Sequence, residues 1–331
     1  MLESKQGNMI TVFDIGSRFG VHPSWGVLLK KNLLNYHAFE IDPIECSRLE
    51  NKYRNFSNYY IHNQGFSDAN ETVELNVLTH KGQSSFLQPN LNSMWFGKQR
   101  KEDSKITEKN IHQLTTLNQY CNQNGLFPDF LKIDTEGYDF KILQGVTNKN
   151  NKLAEGGIFE GVLAIRCEVY FEEIFINVPL FDEIFRFLID HNFTLANLEY
   201  QGAGLPQSYF CPNPNKYGLI SGCEAIFISN FDKIELLTTL NKKKLALFCF
   251  YNNLEDVSHS ILYNLAVTGQ GELVNDDLWL ELKRQYALSA KKMSYMPSGS
   301  FQKAKTDFQL IFKEEYPDQH HFYENEFLNP A

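Results

Sequence analysis

The feature that most constrains the fold of this chain is a short apolar run that contains an acid and is followed by two glycines. The run is Val12–Ile15, with Asp14 inside it, and the glycines are Gly16 and Gly20. A second apolar run, about twenty residues further on, ends in Glu40. In a doubly wound α/β sheet, glycines after the first strand let the backbone approach a ligand, and an acid that ends the second strand accepts hydrogen bonds from a ribose. The pattern therefore predicts an α/β sheet whose first two strands hold a nucleoside.

The spacing of the two glycines narrows the choice of ligand. Gly16-x-x-x-Gly20 differs from the G-x-G-x-x-G loop of dinucleotide enzymes, in which a helix N-terminus faces a pyrophosphate. A nucleoside without phosphates fits this loop better, and S-adenosylmethionine is the commonest such cofactor. An NAD- or NADP-dependent oxidoreductase and a catalytically silent binding protein on the same sheet are the alternatives.

Composition and charge indicate a globular protein and argue against a nucleic-acid partner. The 331 residues are 43% hydrophobic and 21% charged, and the formal net charge is −9, whereas phosphate binding needs a basic face. The lysines at 242–244 are expected on a solvated helix face. Six cysteines without a C-x-x-C pair predict neither a zinc site nor a disulfide framework. Since no signal peptide and no membrane-spanning apolar run is evident, we expect a soluble, cytoplasmic protein.

Apolar runs alternate with segments of helical period from residue 9 to about 200, the pattern of a parallel sheet covered by helices. Strands are predicted at 10–15, 36–41, 58–62, 129–134, 162–169, 193–199 and 224–229. Helices are predicted at 22–34, 43–54, 114–123, 138–146 and 178–191. Alternation of polar and apolar residues at 71–78 predicts an inserted strand or hairpin. The loop 200–222, rich in glycine and proline, is predicted to be a lid.

From residue 231 onward the strand signals thin out. Helical-period stretches follow, such as 277–291 and 301–315. The sequence therefore predicts two parts, a cofactor-binding domain over residues 1–230 and a helical C-terminal extension over 231–331. For the extension, we expect a role in pairing two subunits as a homodimer or in closing over the substrate.

A third block of sequence, Asp129–Asp139, indicates a strand that ends in Asp134, followed by a turn with Glu136 and then a helix. In open α/β sheets, ligands lie outside the carboxyl ends of the strands. The acids expected to end strands on that edge are Asp14, Glu40, Asp134 and Glu168. Because buried carboxylates are costly without partners, this edge is predicted to be functional.

These motifs together resemble the FkbM family of S-adenosylmethionine-dependent O-methyltransferases over roughly residues 8–230. The resemblance is carried by Phe-Asp-Ile-Gly-x-x-x-Gly at 13–20, Phe-Glu-x-Asp-Pro at 39–43, the Leu-Lys-Ile-Asp-x-Glu-Gly block at 131–145 and Glu-x-x-Phe at 168–171. It implies the Rossmann-like class I methyltransferase fold, a seven-stranded, mostly parallel sheet with an antiparallel last strand and helices on both faces. It also implies methyl transfer to a hydroxyl of a sugar, a glycan precursor or a secondary metabolite.

The resemblance also implies which residues bind S-adenosylmethionine. They are Asp14, Gly16, Ser17 and Gly20 in the first loop, Glu40 at the ribose, Ile41, Phe66 and Ser67 around the adenine, and Asp134 near the sulfonium. At Ser17 and Arg18 the chain departs from the small residue and Asn that are usual in the family, which leaves the details of cofactor contact open.

An alcohol that attacks a methyl group must lose its proton, typically to a nearby His, Asp or Glu. The candidate bases are Glu136 and Glu168, with Asp134 and His112 behind them. No metal-ligand set is predicted, although a divalent metal held by Asp134 and neighbouring acids is an alternative way to lower the hydroxyl's pKa.

Overall fold

The computed structural model describes residues 9–96, 101–147, 157–202, 220–268, 276–292 and 299–317. The chain divides into two compact units, Met1–Glu235 and Leu236–Ala331. Most of the predicted lid at 200–222 lies outside the described residues. Within the described segments, no helix combines the length and the apolar character needed to cross a bilayer.

The first unit contains two β-sheets and short helices. Its described strands are β1 (Ile10–Ile15), β2 (Leu34–Phe39), β3 (Tyr59–His62), β4 (Gly65–Ser67), β5 (Glu71–Leu78), β6 (Ile106–Thr116), β7 (Phe130–Ile133), β8 (Ala164–Tyr170), β9 (Phe193–Gly202) and β10 (Ile220–Ser229). Its described α-helices are α1 (Pro23–Lys30), α2 (Pro43–Tyr53), α3 (Leu117–Asn124), α4 (Asp139–Gln144), α5 (Phe181–Asp190) and α6 (Phe231–Leu236).

Seven of these strands form the central sheet, in the order β3-β2-β1-β7-β8-β10-β9. β10 runs antiparallel to both β8 and β9, and the remaining pairs are parallel. The prediction of a seven-stranded, mostly parallel sheet with an antiparallel last strand is confirmed. β1 and β2 end side by side next to β7, so the loops that follow these three strands meet at one edge.

The two faces of the central sheet differ in chemistry because successive residues of a strand point to opposite sides. One face is apolar and carries Phe13, Ile15, Leu131 and Ile133, which join a large buried cluster with residues of α3, α4 and α5. On the other face Asp14, Lys132 and Arg166 lie side by side as Cα partners of β1, β7 and β8. All three charged residues are buried. We call these the apolar face and the charged face.

The inserted segment between β4 and α3 forms a separate three-stranded sheet in the order β4-β6-β5. The predicted strand at 71–78 is confirmed as β5, which pairs antiparallel with β6. The predicted helix start at residue 114 is wrong, because β6 continues to Thr116. Thr116 then caps α3, since its hydroxyl accepts a hydrogen bond from the Gln119 amide at 3.1 Å.

The second unit is helical, as the sequence predicts. Its described helices are α7 (Thr239–Tyr251), α8 (Glu255–Thr268), α9 (Asp277–Lys292) and α10 (Ser300–Phe312). The expectation of solvated lysines at 242–244 is wrong, because all three are buried. Lys243 pairs with Asp276 at 2.9 Å, and its ammonium lies 5.6 Å from the centre of the Trp279 ring. Such a residue is buried at low cost only because a carboxylate and an aromatic face compensate the charge.

Candidate active site

A cavity of about 280 Å³ lies at the carboxyl ends of β1, β2 and β7. The loop after β1 contributes Gly16 to its lining, and the segment after β2 contributes Glu40 and Ile41. The turn after β7 contributes Asp134 and Glu136. The inserted sheet forms a further wall, so the cavity lies between the edge of the central sheet and a second sheet.

Gly16 fixes how closely the first loop approaches β7. Its φ is +82°, and a Cβ at this position would lie only 1.8 Å from the Asp134 carbonyl oxygen. The Gly16 and Ser17 amides both donate to the Phe39 carbonyl, at 2.9 and 3.1 Å, and the Asp134 amide donates to the Ile15 carbonyl at 2.9 Å. These bonds join the ends of β1, β2 and β7 into one floor, which only glycine at position 16 permits.

Glu40 lies on this floor directly before α2. Asp42 caps α2 by accepting from the Ile44 amide at 2.9 Å, and Pro43 occupies the first helical turn. The early helix start turns the chain back to the cavity, where Glu40 is only 5% exposed. Its Oε1 accepts from the Asp42 amide at 2.8 Å. Burial raises the pKa of Glu40.

Ile41 and Phe66 form an apolar part of the lining. A Cβ at Gly65 would lie 2.7 Å from the Ile41 side chain, so β4 approaches Ile41 closely. Phe66 is almost fully buried and packs edge-on against Phe39, with ring centres 5.1 Å apart. This end of the cavity can accept a flat apolar group.

Four of the predicted cofactor residues do not line the cavity. They are Asp14, Ser17, Gly20 and Ser67. Ser17 is buried and its hydroxyl donates to the Phe39 carbonyl at 3.4 Å, whereas the Ser67 hydroxyl bonds Asp68 at 3.0 Å and also Glu71. A Cβ at Gly20 would lie 2.5 Å from the Tyr53 hydroxyl, so that glycine allows close packing against α2. Direct contact of these four residues with a cofactor stays a prediction.

Asp14 is fully buried on the charged face. Its carboxylate accepts from the Tyr36 hydroxyl and from Lys132 Nζ, the latter at 3.2 Å. The same ammonium lies 3.2 Å from Asp134 Oδ2. Burial lowers the pKa of Lys132, but the charges of Asp14 and Asp134 outweigh that effect and raise it overall. Lys132 therefore stays an ammonium that two carboxylates share.

Three carboxylates meet at the end of β7. Oxygens of Asp134, Glu136 and Glu168 all lie within 4.8 Å of one another, a spacing that a cation could also bridge. Burial raises the pKa of Glu136 well above its ordinary value, and the charge of Glu168 raises it further. Burial also raises the pKa of Glu168, and Asp134 adds to the effect. Because neighbouring carboxylates resist simultaneous ionisation, this group can hold a proton at a pH where isolated glutamates have lost it.

The backbone aims Glu136 into this group. Glu136 has a φ of +54°, a strained conformation for a residue with a side chain, and Gly137 follows with a φ of +93°. The Glu136 carbonyl accepts from the Ser85 hydroxyl at 2.6 Å, so the inserted segment holds the strained turn. Strain of this kind persists only where the surroundings fix it, and it clusters at functional sites.

Asp139 joins the turn to β8. Its carboxylate accepts from the Thr135 amide at 3.1 Å, from the Thr135 hydroxyl at 2.7 Å and from the Glu168 amide at 3.2 Å. Burial raises the pKa of Asp139 to about 6. Asp139 thus positions Glu168 relative to Glu136, a role that its place in the motif did not predict.

His112 lies on β6 and contributes to the wall formed by the inserted sheet. Its Nε2 is buried and makes no hydrogen bond to the described part of the protein. Burial lowers the pKa of His112, and the carboxylate of Asp42 opposes that shift. Asp42 follows β2, so the charge that acts on His112 belongs to the Glu40 end of the cavity rather than to the three-carboxylate group.

The chain also matches a known protein family. Residues 14–195 match the methyltransferase FkbM domain. The chain belongs to the FkbM methyltransferase family. It is therefore an S-adenosylmethionine-dependent methyltransferase, and S-adenosylmethionine is its cofactor. The alternatives of a nicotinamide-dependent oxidoreductase and of a silent binding protein are not supported.

Solved structures similar to this FkbM methyltransferase are distant in sequence. A precorrin-6y C5,15-methyltransferase from Geobacter metallireducens is 12% identical, covers 69% of this chain and 86% of its own, and has a TM-score of 0.29. A SAM-dependent methyltransferase from Agrobacterium tumefaciens is 6% identical, with coverage of 68% and 59% and a TM-score of 0.32. The 23S rRNA methyltransferase ErmE is 9% identical, with 92% coverage of both chains and a TM-score of 0.30. No curated protein matches the chain. The class I fold rests on the family and on the sheet order.

The predicted site residues of this FkbM methyltransferase fall into two groups. The cavity lining brings together Gly16, Glu40, Ile41, Phe66, His112, Asp134 and Glu136. Glu168 lies beside Asp134 and Glu136, and the remaining predicted residues lie behind the wall. Sequence reasoning gave no role to Lys132, although a lysine between apolar neighbours, on a strand that ends two residues later in Asp134, was a signal for a buried ion pair.

Proposed function

We propose that this FkbM methyltransferase transfers the methyl group of S-adenosylmethionine to a hydroxyl of a sugar, a glycan precursor or a secondary metabolite. The observation that carries the proposal is the group of Asp134, Glu136 and Glu168 at one end of the cavity, with oxygens within 4.8 Å of one another. A hydroxyl needs a base for its proton, and half-buried carboxylates that lie close together supply one whose pKa is raised above its ordinary value.

The proposed donor position follows the chemistry of the lining. Glu40, a buried carboxylate in the cavity lining, would accept hydrogen bonds from the ribose diol, and Ile41 and Phe66 would pack against the adenine. Gly16 would lie beside the methionine part, and Asp134 would lie near the sulfonium. The support for this placement is that the cavity lining contains apolar side chains as well as Glu40 and Asp134.

In the proposed reaction the acceptor oxygen attacks the methyl carbon in line with the departing sulfur. The new O–C bond forms as the C–S bond breaks, and the hydroxyl proton passes to Glu136. The Glu168 carboxylate accepts from the Tyr170 hydroxyl at 2.5 Å, which favours its ionised form. The negative charge of Glu168 in turn stabilises the proton on Glu136. Alignment of oxygen, carbon and sulfur supplies up to roughly 7–11 kcal/mol of the barrier reduction. His112 stays a weaker candidate for the base because its electrostatic neighbour is Asp42.

The test is label transfer from methyl-labelled S-adenosylmethionine to a panel of sugars, sugar nucleotides, phenols, amines and thiols. Label on a hydroxyl oxygen is the expected result, and label confined to nitrogen, sulfur or carbon would overturn the proposal. With an acceptor in hand, Glu136→Gln should lower kcat by about 10²–10⁴ with little change in donor affinity. His112→Gln is the matched control. A large loss in His112→Gln and none in Glu136→Gln would move the base to the histidine.

For the helical extension at 231–331 we propose subunit pairing as a homodimer, or closure over the acceptor, in a cytoplasmic enzyme. The support is the sequence pattern and the compact second unit. Deletion of residues 235–331 should lower the number of subunits per particle, measured by light scattering, or lower turnover. Retention of both the assembly and the turnover would contradict this proposal.

A further inference from the structure

We propose that Asp14, which does not touch the cavity, determines how strongly the enzyme prefers its charged donor to the neutral product. Asp14 acts through Lys132 on Asp134. The inference deepens the proposed function, because it rests on the placement of the donor's sulfonium beside Asp134. It concerns donor binding alone and does not depend on the acceptor.

The geometry forms a chain of contacts from the sheet interior to the cavity. Tyr36 donates to Asp14, Lys132 Nζ lies 3.2 Å from both Asp14 Oδ1 and Asp134 Oδ2, and Asp134 lines the cavity. Exposure rises along the chain, from 1% for the Asp14 side chain and 7% for Lys132 to 33% for Asp134. Lys132 is thus a positioning residue with one partner inside the sheet and one at the cavity.

The bonding at Asp14 is that of an ionised carboxylate. It accepts from a hydroxyl and from an ammonium. The carboxylates of Asp14 and Asp134 and the ammonium of Lys132 together carry one net negative charge. Because both carboxylates lie 3.2 Å from the ammonium, they share it equally. Asp134 is the exposed member of the chain, so the cavity wall presents this charge.

The donor and the product differ by one charge at the atom that reacts. S-adenosylmethionine carries a sulfonium, an ammonium and a carboxylate, whereas S-adenosylhomocysteine has a neutral thioether in place of the sulfonium. The negative charge at Asp134 attracts the positively charged sulfonium, whereas the neutral thioether of the product has no comparable electrostatic attraction to it. After transfer the attraction is lost, which favours exchange of product for fresh donor.

Without the charge of Asp14, Asp134 would be the acid in contact with Lys132, and the ammonium would compensate its charge. Asp14→Asn removes that charge at nearly constant shape. In titration calorimetry without acceptor, we expect Asp14→Asn to weaken binding of S-adenosylmethionine by about tenfold and binding of S-adenosylhomocysteine by less than about twofold. Sinefungin, in which an amine replaces the sulfonium, should weaken with the donor.

The double variant Asp14→Asn/Lys132→Met provides a charge-matched comparison, because Asp134 alone then supplies the one net negative charge. It should keep the ratio of donor to product affinity within about threefold of the wild type. Tyr36→Phe removes a bond to Asp14 without changing any charge, and it too should keep the ratio. Where Asp14→Asn does not fold, the double variant decides, and a collapsed ratio in it overturns the proposal.

An unchanged ratio of donor to product affinity in a folded Asp14→Asn protein would also overturn the proposal, because it would show that the role of Asp14 is only structural. Asp134→Asn separates this failure from a failure of the proposed function. If Asp134→Asn leaves donor affinity unchanged, the donor does not lie at Asp134. If Asp134→Asn weakens the donor and Asp14→Asn does not, only the role of Asp14 is wrong.

Discussion

On one face of the central sheet β1, β7 and β8 contribute to an apolar core, whereas on the other face the same strands carry buried charges. Ile133 packs in the large apolar cluster, and its neighbour Lys132 bridges Asp14 and Asp134. On the charged face every charge described here has a close opposite charge: Arg166 donates to Glu224 at 2.7 Å and also contacts Glu199. Burial stabilises the first face directly, whereas the second face is tolerated only as long as its charges compensate one another.

The largest expected effect is on stability, and it compares the two faces at adjacent residues. Lys132→Met should cost about 3–5 kcal/mol because it leaves the Asp14 carboxylate buried without a cation. Ile133→Ala should cost about 2–5 kcal/mol through lost burial and a cavity. Urea unfolding measures both. Only the lysine variant should be rescued by Asp14→Asn, and rescue of neither would break the contrast between the faces.

Asp139, at the first turn of α4, is a buried carboxylate held by hydrogen bonds. Its effect on the free energy of unfolding should therefore depend on pH. Its pKa of about 6 exceeds the ordinary 3.8, so the folded state binds its proton more tightly than the unfolded state. The stability that this proton contributes is present at pH below about 4 and is lost as the pH rises through about 6, an effect of about 2–3 kcal/mol. Between pH 4 and pH 7.5 the unfolding free energy of Asp139→Asn should fall by about 2–3 kcal/mol less than that of the wild type, because the other carboxylates with raised pKa titrate in both proteins. Equal pH dependence in both proteins would show that Asp139 titrates normally.

Glu40 extends the charged face to the edge of the sheet, where a ligand replaces a cation as partner. Glu40→Ala should weaken S-adenosylmethionine binding by about 10–100-fold, since hydrogen bonds to a charged group contribute about 1.5–3 kcal/mol. Glu45→Ala is the control, because Glu45 pairs with Arg48 on α2 and does not line the cavity. Unchanged affinity in a folded Glu40→Ala protein, measured by calorimetry, would contradict the ribose assignment.

Gly16 after β1 and Gly125 after α3 both have a positive φ, but only Gly16 lies close to other backbone atoms. Alanine substitutions at the two positions therefore separate the cost of a steric clash from the cost of the backbone conformation. Gly16→Ala places a Cβ 1.8 Å from the Asp134 carbonyl oxygen, whereas a Cβ at Gly125, where φ is +63°, meets nothing within 4 Å. Gly125→Ala should therefore cost about 1 kcal/mol of strain. Gly16→Ala should cost roughly 1–3 kcal/mol more and should also weaken donor binding. Similar losses in thermal unfolding would mean that the floor of the cavity relaxes freely.

The smallest expected effect separates a proton-accepting role of the three carboxylates from cation binding. Addition of EDTA and removal of divalent ions should leave turnover unchanged, because Glu136 takes the proton in the proposed reaction. Loss of turnover that Mg²⁺ restores would instead make Asp134, Glu136 and Glu168 a metal site.

Much of the central sheet could be predicted because most of its strands are apolar runs. The expectation that Asp14 and Glu168 end strands is wrong, because β1 continues to Ile15 and β8 continues to Tyr170. The seven predicted strands lie within a few residues of those in the structure. The start of α3 could not be predicted from periodicity. Leu114, Leu117 and Cys121 have helical spacing, yet Leu114 pairs with Glu71 of β5 and with Gly65 of β4. Partners distant in sequence decide between strand and helix at such a position.

At the site, the residue types could be predicted and their depth could not. The acids at strand ends were recognisable as a group, but the sequence does not show that Asp14 lies behind the wall while Asp134 lines the cavity. That difference comes from Lys132 and Tyr36, which bind Asp14 from β7 and β2. For the lysines at 242–244, charge suggested exposure, and the compensating carboxylate at Asp276 is more than thirty residues away.

The second sheet has a consequence for how such enzymes diversify. Its central strand β6 pairs with β4 and β5, outside the seven-stranded sheet, and the hydroxyl of Ser85 in the same insertion donates to the Glu136 carbonyl. New loops or altered side chains there would reshape one wall while leaving every pairing of the main sheet intact. The insertion is therefore an exchangeable module, through which a lineage can acquire new selectivity without rebuilding its catalytic scaffold.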